Sequence, residues 1–257
     1  MLWVDHASVR VESLDRAALL LQQRLGLIPT RTPGAEQQHS RLFFHRSYLE
    51  VSEGNGPASP PAAAVELFFF GFSDLERTCA QLRAADLRFR SEPYQGRDGL
   101  WDNLEVEAPP GVPSPILVRR VLPREVAADW PPSRPQPWPC GARAVRGFHL
   151  EVTALEPAAA FFRALLGAPA SPAPPHPLTG VPRVRLDWEG GLLLLQQGPA
   201  PGVVAVVLES VDLALSARFL ADRGTPARVL PEGLWVDPLL PGLGLVLVAQ
   251  GVCPGQI

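Results

Sequence analysis

The feature that most limits what this chain can fold into is a repeat. A short alternating strand, a helix, and two or three further extended runs recur four times along 257 residues. In the first unit, residues 1–55, Val4 to Val11 alternates as a strand does. Leu14 to Leu25 has helical spacing, and Leu25-Gly26-Leu27 closes it with a residue free to turn left-handed. Extended runs follow, the last being Ser47-Tyr48-Leu49-Glu50-Val51. The second unit, 64–122, opens on Val65 to Phe70. Ser73 or Asp74 then caps a helix running to Leu82, followed by runs at Leu87–Arg90, Leu100–Glu107 and Ile116–Val121.

The third unit has a strand over Gly147–Val152, a helix from Leu155 to Leu166 with Pro157 in its first turn, and strands at Val181–Trp188 and Gly191–Gln197. The fourth has strands at Val203–Leu208, Leu234–Val236 and Leu243–Ala249, with a helix from Val211-Asp212-Leu213 to Asp222. Units one and three share a helix ending in leucine and glycine. Units two and four share Gly-Leu-Trp at Gly99-Leu100-Trp101 and Gly233-Leu234-Trp235. The repeat is therefore a pair of units used twice. The proline-rich stretch within 123–143 reads as a stiff linker between residues 1–122 and 144–257. Pro57–Pro61 and Pro169–Pro177 read as loops.

Composition excludes several classes of function. With 46% hydrophobic and 19% charged residues the chain is core-forming. A net charge of −3 gives no footprint for nucleic acid or an anionic membrane. Every basic residue is arginine, which removes lysine as base or Schiff-base nucleophile. The three cysteines are far apart and show no Cys-x-x-Cys spacing. The longest apolar runs, about eight to ten residues, are short for a bilayer, and no signal segment is evident. A cytoplasmic bacterial protein is the expectation, with a small-molecule partner and a possible homodimer.

A βαβββ unit used in pairs, with His6 on the first strand and Glu50 on the last, resembles the vicinal oxygen chelate superfamily. That superfamily includes glyoxalase I, extradiol dioxygenases, and fosfomycin- and bleomycin-resistance proteins. The residues carrying the resemblance are Val4-Asp5-His6, Leu25-Gly26-Leu27, His39-Ser40-Arg41-Leu42 and Tyr48-Leu49-Glu50-Val51. It implies an α+β fold in which four βαβββ units form two curled mixed-sheet domains, each a cup. It also implies a divalent metal (Zn, Fe, Mn or Ni) held by imidazole and carboxylate, acting as a Lewis acid.

On that basis His6 and Glu50 are the candidate metal ligands, with Glu50 also a candidate general base. Alternation places His6, Ser8 and Arg10 on one polar face, and Tyr48 beside Glu50. His39 is a candidate third ligand or hydrogen-bonding group. Tyr48 and Trp101 are candidate wall residues, and Arg119 a candidate anchor for an anion. The second unit supplies no evident partner: the position facing His6 falls near Leu67, and Val118 or Arg119 stands where Glu50 would. His149, two residues past the His6 position, is the metal candidate of the second cup, which otherwise reads as a degenerate copy.

Two readings follow. One is a metal-dependent lyase, isomerase or dioxygenase acting on a small oxygenated molecule in the N-terminal cup. The other is a metal-free protein that binds or sequesters a small molecule, as bleomycin-resistance proteins do. Whether units pair as one with two and three with four, or cross over, is left open; a crossed pairing would bring His149 to His6.

Overall fold

The computed structural model describes all residues except 32–38, 46, 54–64, 97–98, 122–135, 177–178, 232, 241–242 and 250–257. The first unit consists of β1 (Trp3–Val11), α1 (Leu14–Leu25), β2 (Thr30–Arg31), β3 (His39–Phe43) and β4 (Tyr48–Glu53). The second consists of β5 (Val65–Gly71), α2 (Leu75–Ala84), β6 (Phe89–Gly96), β7 (Gly99–Val106) and β8 (Ile116–Val121). The third has β9 (Ala142–Val152), α3 (Leu155–Leu166), β10 (Ala170–Ala173), β11 (Arg183–Trp188) and β12 (Gly191–Gln197). The fourth has β13 (Gly202–Ser210), α4 (Leu213–Asp222), β14 (Ala227–Leu230), β15 (Gly233–Leu240) and β16 (Leu243–Ala249).

Local chemistry accounts for the helix boundaries. Ser13, Asp74 and Asp212 cap α1, α2 and α4 by accepting backbone N–H bonds from their first turns. α1 ends at Gly26 with φ +68° and α3 at Gly167 with φ +65°, the left-handed turn that the Leu-Gly signature predicts. Gly26 is also packed tightly, since a Cβ there would lie 3.0 Å from Pro139.

In each half the first strands of the paired units lie side by side. β1 runs antiparallel to β5, parallel to β4, and the order continues through β3 to β2. On the other side β5 is followed by β8, β7 and β6. The C-terminal half repeats this with β9 against β13, β12-β11-β10 on one flank and β16-β15-β14 on the other. The units therefore pair one with two and three with four. A Val203–Val65 bridge joins the halves into one sheet of 16 strands. The result is the α+β, glyoxalase-type arrangement of two paired-unit domains.

The central strands bury one side-chain face with the helices, and their opposite faces carry two smaller clusters, one around Phe69 and one around Leu194. The helix-side faces share a single apolar core across both halves. Phe68 and Phe70 of β5 pack edge-on against Phe148 of β9, at 5.3 and 5.9 Å. Aromatic edge-to-face pairs at such distances are favourable beyond the area they bury. Two strands absent from the sequence reading are β10 and β14. β10 lies inside the segment read as a loop, because Ala-Ser-Pro-Ala carries no hydrophobic alternation. It pairs only with β11, and the edge position tolerates Pro172.

Candidate functional site

The N-terminal cup is built around His6. A register shift at Asp5 turns Val4 toward the helices, opposite Phe70, and His6 into the cup, opposite Phe69. On the other flank His6 stands opposite Tyr48. The imidazole is sandwiched: Phe69 stacks on it at 3.9 Å and Tyr48 at 4.3 Å, both within 12° of parallel. Its Nδ1 lies 2.7 Å from Asp5 Oδ2. Beyond Phe69 the cup floor is Trp101 and Val118, with the Arg120 guanidinium 5.5 Å over the Trp101 ring.

One rung along, Glu50 pairs in register with Ser8 and Arg41. Arg41 Nε donates to its carboxylate at 2.9 Å, and the same guanidinium lies 5.5 Å over Tyr48. A further rung along, His39 stands opposite Ser52 with its Nε2 buried and without a hydrogen-bond partner. His6, Tyr48, Glu50, His39 and Trp101 thus share one face of the sheet. Arg119 does not: it points to the opposite face and forms an ion pair with Asp102, its Nε donating at 2.9 Å. Arg120, one residue on, is the cup-facing arginine.

This donor set does not fit the expected metal. The strand positions flanking His6 carry aromatic rings, and those of β8 carry Ile116 and Val118. Among the described residues no group of three or more His, Cys, Asp or Glu side chains is placed to hold a metal ion. Glu50 is already paired with a guanidinium. His149 lies in the other cup, so the uncrossed pairing of the units keeps it away from His6.

The C-terminal cup is mostly apolar, lined by Leu192, Leu194, Ala205, Val207, Trp235 and Val246. His149 sits among them, opposite Leu194 and Ala205, fully buried. Burial, then the nearby Arg183 guanidinium and His176, lower its pKa to about 3, against a smaller opposing hydrogen bond with the Gln196 side chain. Arg183 and His176 were not singled out from sequence. His176 lies in the proline-rich stretch, and Arg183 among several arginines of similar spacing. At the edge of this half a cavity of about 390 Å³ is lined by Arg185, Asp187, Leu192, Leu230 and Val248, with Ala217 from α4. Arg185 and Asp187 form an ion pair at its rim. No helix among the described residues is long and apolar enough to cross a membrane.

Two βαβββ units paired through their first strands, repeated once in the chain, define the vicinal oxygen chelate fold. Solved structures show the same fold over nearly the whole chain. The 2,3-dioxygenase LapB from Pseudomonas sp. KL28 superposes with a TM-score of 0.67 at 14% identity, covering 97% of this chain and 92% of its own. A mutant of 4-hydroxymandelate synthase from Streptomyces coelicolor gives 0.63 at 16% identity, covering 96% and 92%. A hypothetical protein from Staphylococcus aureus gives 0.62 at 8% identity, covering 96% and 100%. No protein-family model and no curated protein sequence matches the chain.

Proposed function

We propose that this chain is a metal-free binding protein on the vicinal oxygen chelate fold, taking a small molecule in its N-terminal cup. The observation that carries the reading is the sandwich of His6 between Tyr48 and Phe69. The stacked rings leave the in-plane Nε2 lone pair of His6 open, but they occupy the two flanking strand positions from which further metal ligands would come. What remains is an aromatic floor, continued by Trp101, with the Arg120 guanidinium over the Trp101 ring. Such a floor suits a flat apolar body carrying an anionic group.

A second reading, the metal-dependent enzyme, draws support from Asp5. A carboxylate 2.7 Å from an imidazole Nδ1 is how metal-binding histidines are commonly oriented. Two of the structural neighbours are a synthase and a dioxygenase. One experiment separates the readings: metal analysis of untagged protein, before and after incubation with zinc, iron(II), manganese or nickel, alongside His6→Ala. The binding reading expects no stoichiometric metal in either protein. Stoichiometric metal in the wild type that is lost in His6→Ala overturns it. The floor itself is tested with benzoate-type aromatic carboxylates: Trp101→Ala should weaken binding at least about tenfold, as expected for loss of a stacked aromatic contact.

A further inference from the structure

The cavity of about 390 Å³ in the C-terminal half lies where β11, β14 and β16 end and β12 and β15 begin. Its wall comes from both sides of the sheet. Leu192, Leu230 and Val248 belong to the cluster around Leu194, on the face away from the helices. Leu213 and Ala217 of α4 pack instead against the helix-side core. The cavity therefore passes round the end of the sheet to α4. His149, His176 and Trp235, which pack on one another in the middle of the sheet face, form no part of its wall. Its volume falls in the range of small-molecule sites, roughly 300–1,000 Å³.

Two properties of the wall define an occupant. The first is shape with apolarity. Leucine and valine side chains line the sheet side, and α4 presents Ala214 and Ala217, whose small side chains leave a passage between helix and sheet. Val229 of the edge strand β14, 83% exposed, carries the apolar wall out to solvent. A long apolar body fits such a passage and is driven into it by removal of its surface from water.

The second property is charge. Arg185 and Asp187 neutralise each other, with Arg185 Nη2 donating to Asp187 Oδ1 at 2.8 Å. Arg146 has no carboxylate partner among the described residues; its Nη1 makes only a long contact, 3.5 Å, with the Glu189 carbonyl. The wall thus carries two guanidinium groups against one carboxylate, and the uncompensated cation stands beside apolar surface. A guanidinium holds a carboxylate through two parallel N–H bonds, and its charge disfavours an ammonium head group.

We propose that this cavity binds a medium-chain alkyl carboxylate, with the carboxylate on Arg146 and the chain in the passage between α4 and the end of the sheet. The site is independent of the N-terminal cup, so either proposal can fail without the other.

The test is calorimetric titration of the whole protein with octanoate at submicellar concentration. Hexanoate, 1-octanol and octylammonium serve as probes of chain length and head-group charge. The expected result is saturable octanoate binding, at least about fivefold tighter than hexanoate because two more methylenes are buried. It should be at least about tenfold tighter than 1-octanol or octylammonium. Arg146→Gln removes the charge, and Ala217→Trp fills the passage; each should weaken octanoate by at least about tenfold. Circular dichroism establishes that a variant is folded, and should one fail to fold, the other decides. Octanoate held in the N-terminal cup would be indifferent to both substitutions, so unchanged binding in a folded variant overturns the proposal. So does absence of saturable binding at millimolar octanoate, or an affinity for 1-octanol, octylammonium or hexanoate equal to that for octanoate.

Discussion

At the scale of single residues, the two cup histidines differ in what their surroundings ask of them. His6 is stacked and paired with a carboxylate, whereas His149 is enclosed beside a guanidinium and stays neutral. The sign of the resulting pH effect is fixed. The folded protein takes up the His149 proton only near pH 3, whereas an unfolded histidine takes it up at about 6.5. Between those values the unfolded state binds the extra proton, so stability rises with pH through the window and is fully present above it. From pH 7 to pH 5 the loss is at most about 2 kcal/mol, by the 1.36 kcal/mol per pKa unit of linkage. Urea denaturation at the two pH values measures it. In His149→Phe this part of the slope should vanish; an unchanged slope would remove His149 as its source. At the N-terminal cup, Phe69→Ala removes a nearly buried ring stacked on His6, and should cost about 3 kcal/mol.

At the scale of elements, the four helices make an internal comparison. Three have a side-chain N-cap, but α3 begins at Ala154 with φ −134° and ψ 116°, a capping backbone without a capping side chain. Ala154→Asp should therefore stabilise the protein by about 1 kcal/mol, as N-cap exchanges do. A fall in melting temperature would show that the site cannot take the carboxylate. Gly26→Ala should act in the other direction, because it places a Cβ at positive φ and 3.0 Å from Pro139.

Elements were also what the sequence made most legible. Helices α1 and α3 lie where their spacing and Leu-Gly ends place them, and the polar face of β1 follows from alternation alone. What could not be read was cross-strand register. Phe68-Phe69-Phe70 has no period, and the shift at Asp5 brings Phe69, rather than a residue near Leu67, to the plane of His6. Likewise Arg119 and Arg120 are equivalent in sequence. The pairing of Val118 with Gly71 decides which of them enters the cup, and that contact is distant along the chain.

At the scale of the whole molecule, the repeated architecture raises the question of whether the halves are separate folding units. The packing argues that they are not. Phe70 meets Phe148 on one side and Trp188 on the other, at 5.9 and 5.7 Å, so the core of the first half continues into the second. The indole N–H of Trp188 donates to the Leu2 carbonyl at 2.8 Å, and Val4 N donates to the Gly190 carbonyl at 3.1 Å. At the far end Arg24 of α1 donates to the Arg223 carbonyl, while Arg223 donates back to the Gln23 carbonyl, each at 2.7 Å. Halves joined only through a linker would melt separately; halves sharing buried aromatics lose their core together. Calorimetry should therefore show one transition with equal calorimetric and van't Hoff enthalpies. Trp188→Ala, which empties a shared position, should cost about 3–5 kcal/mol by the large-to-small rule. It should lower that single transition as a whole. Two resolved transitions, or one in which only part of the enthalpy moves with Trp188→Ala, would mean that each cup stands on its own domain.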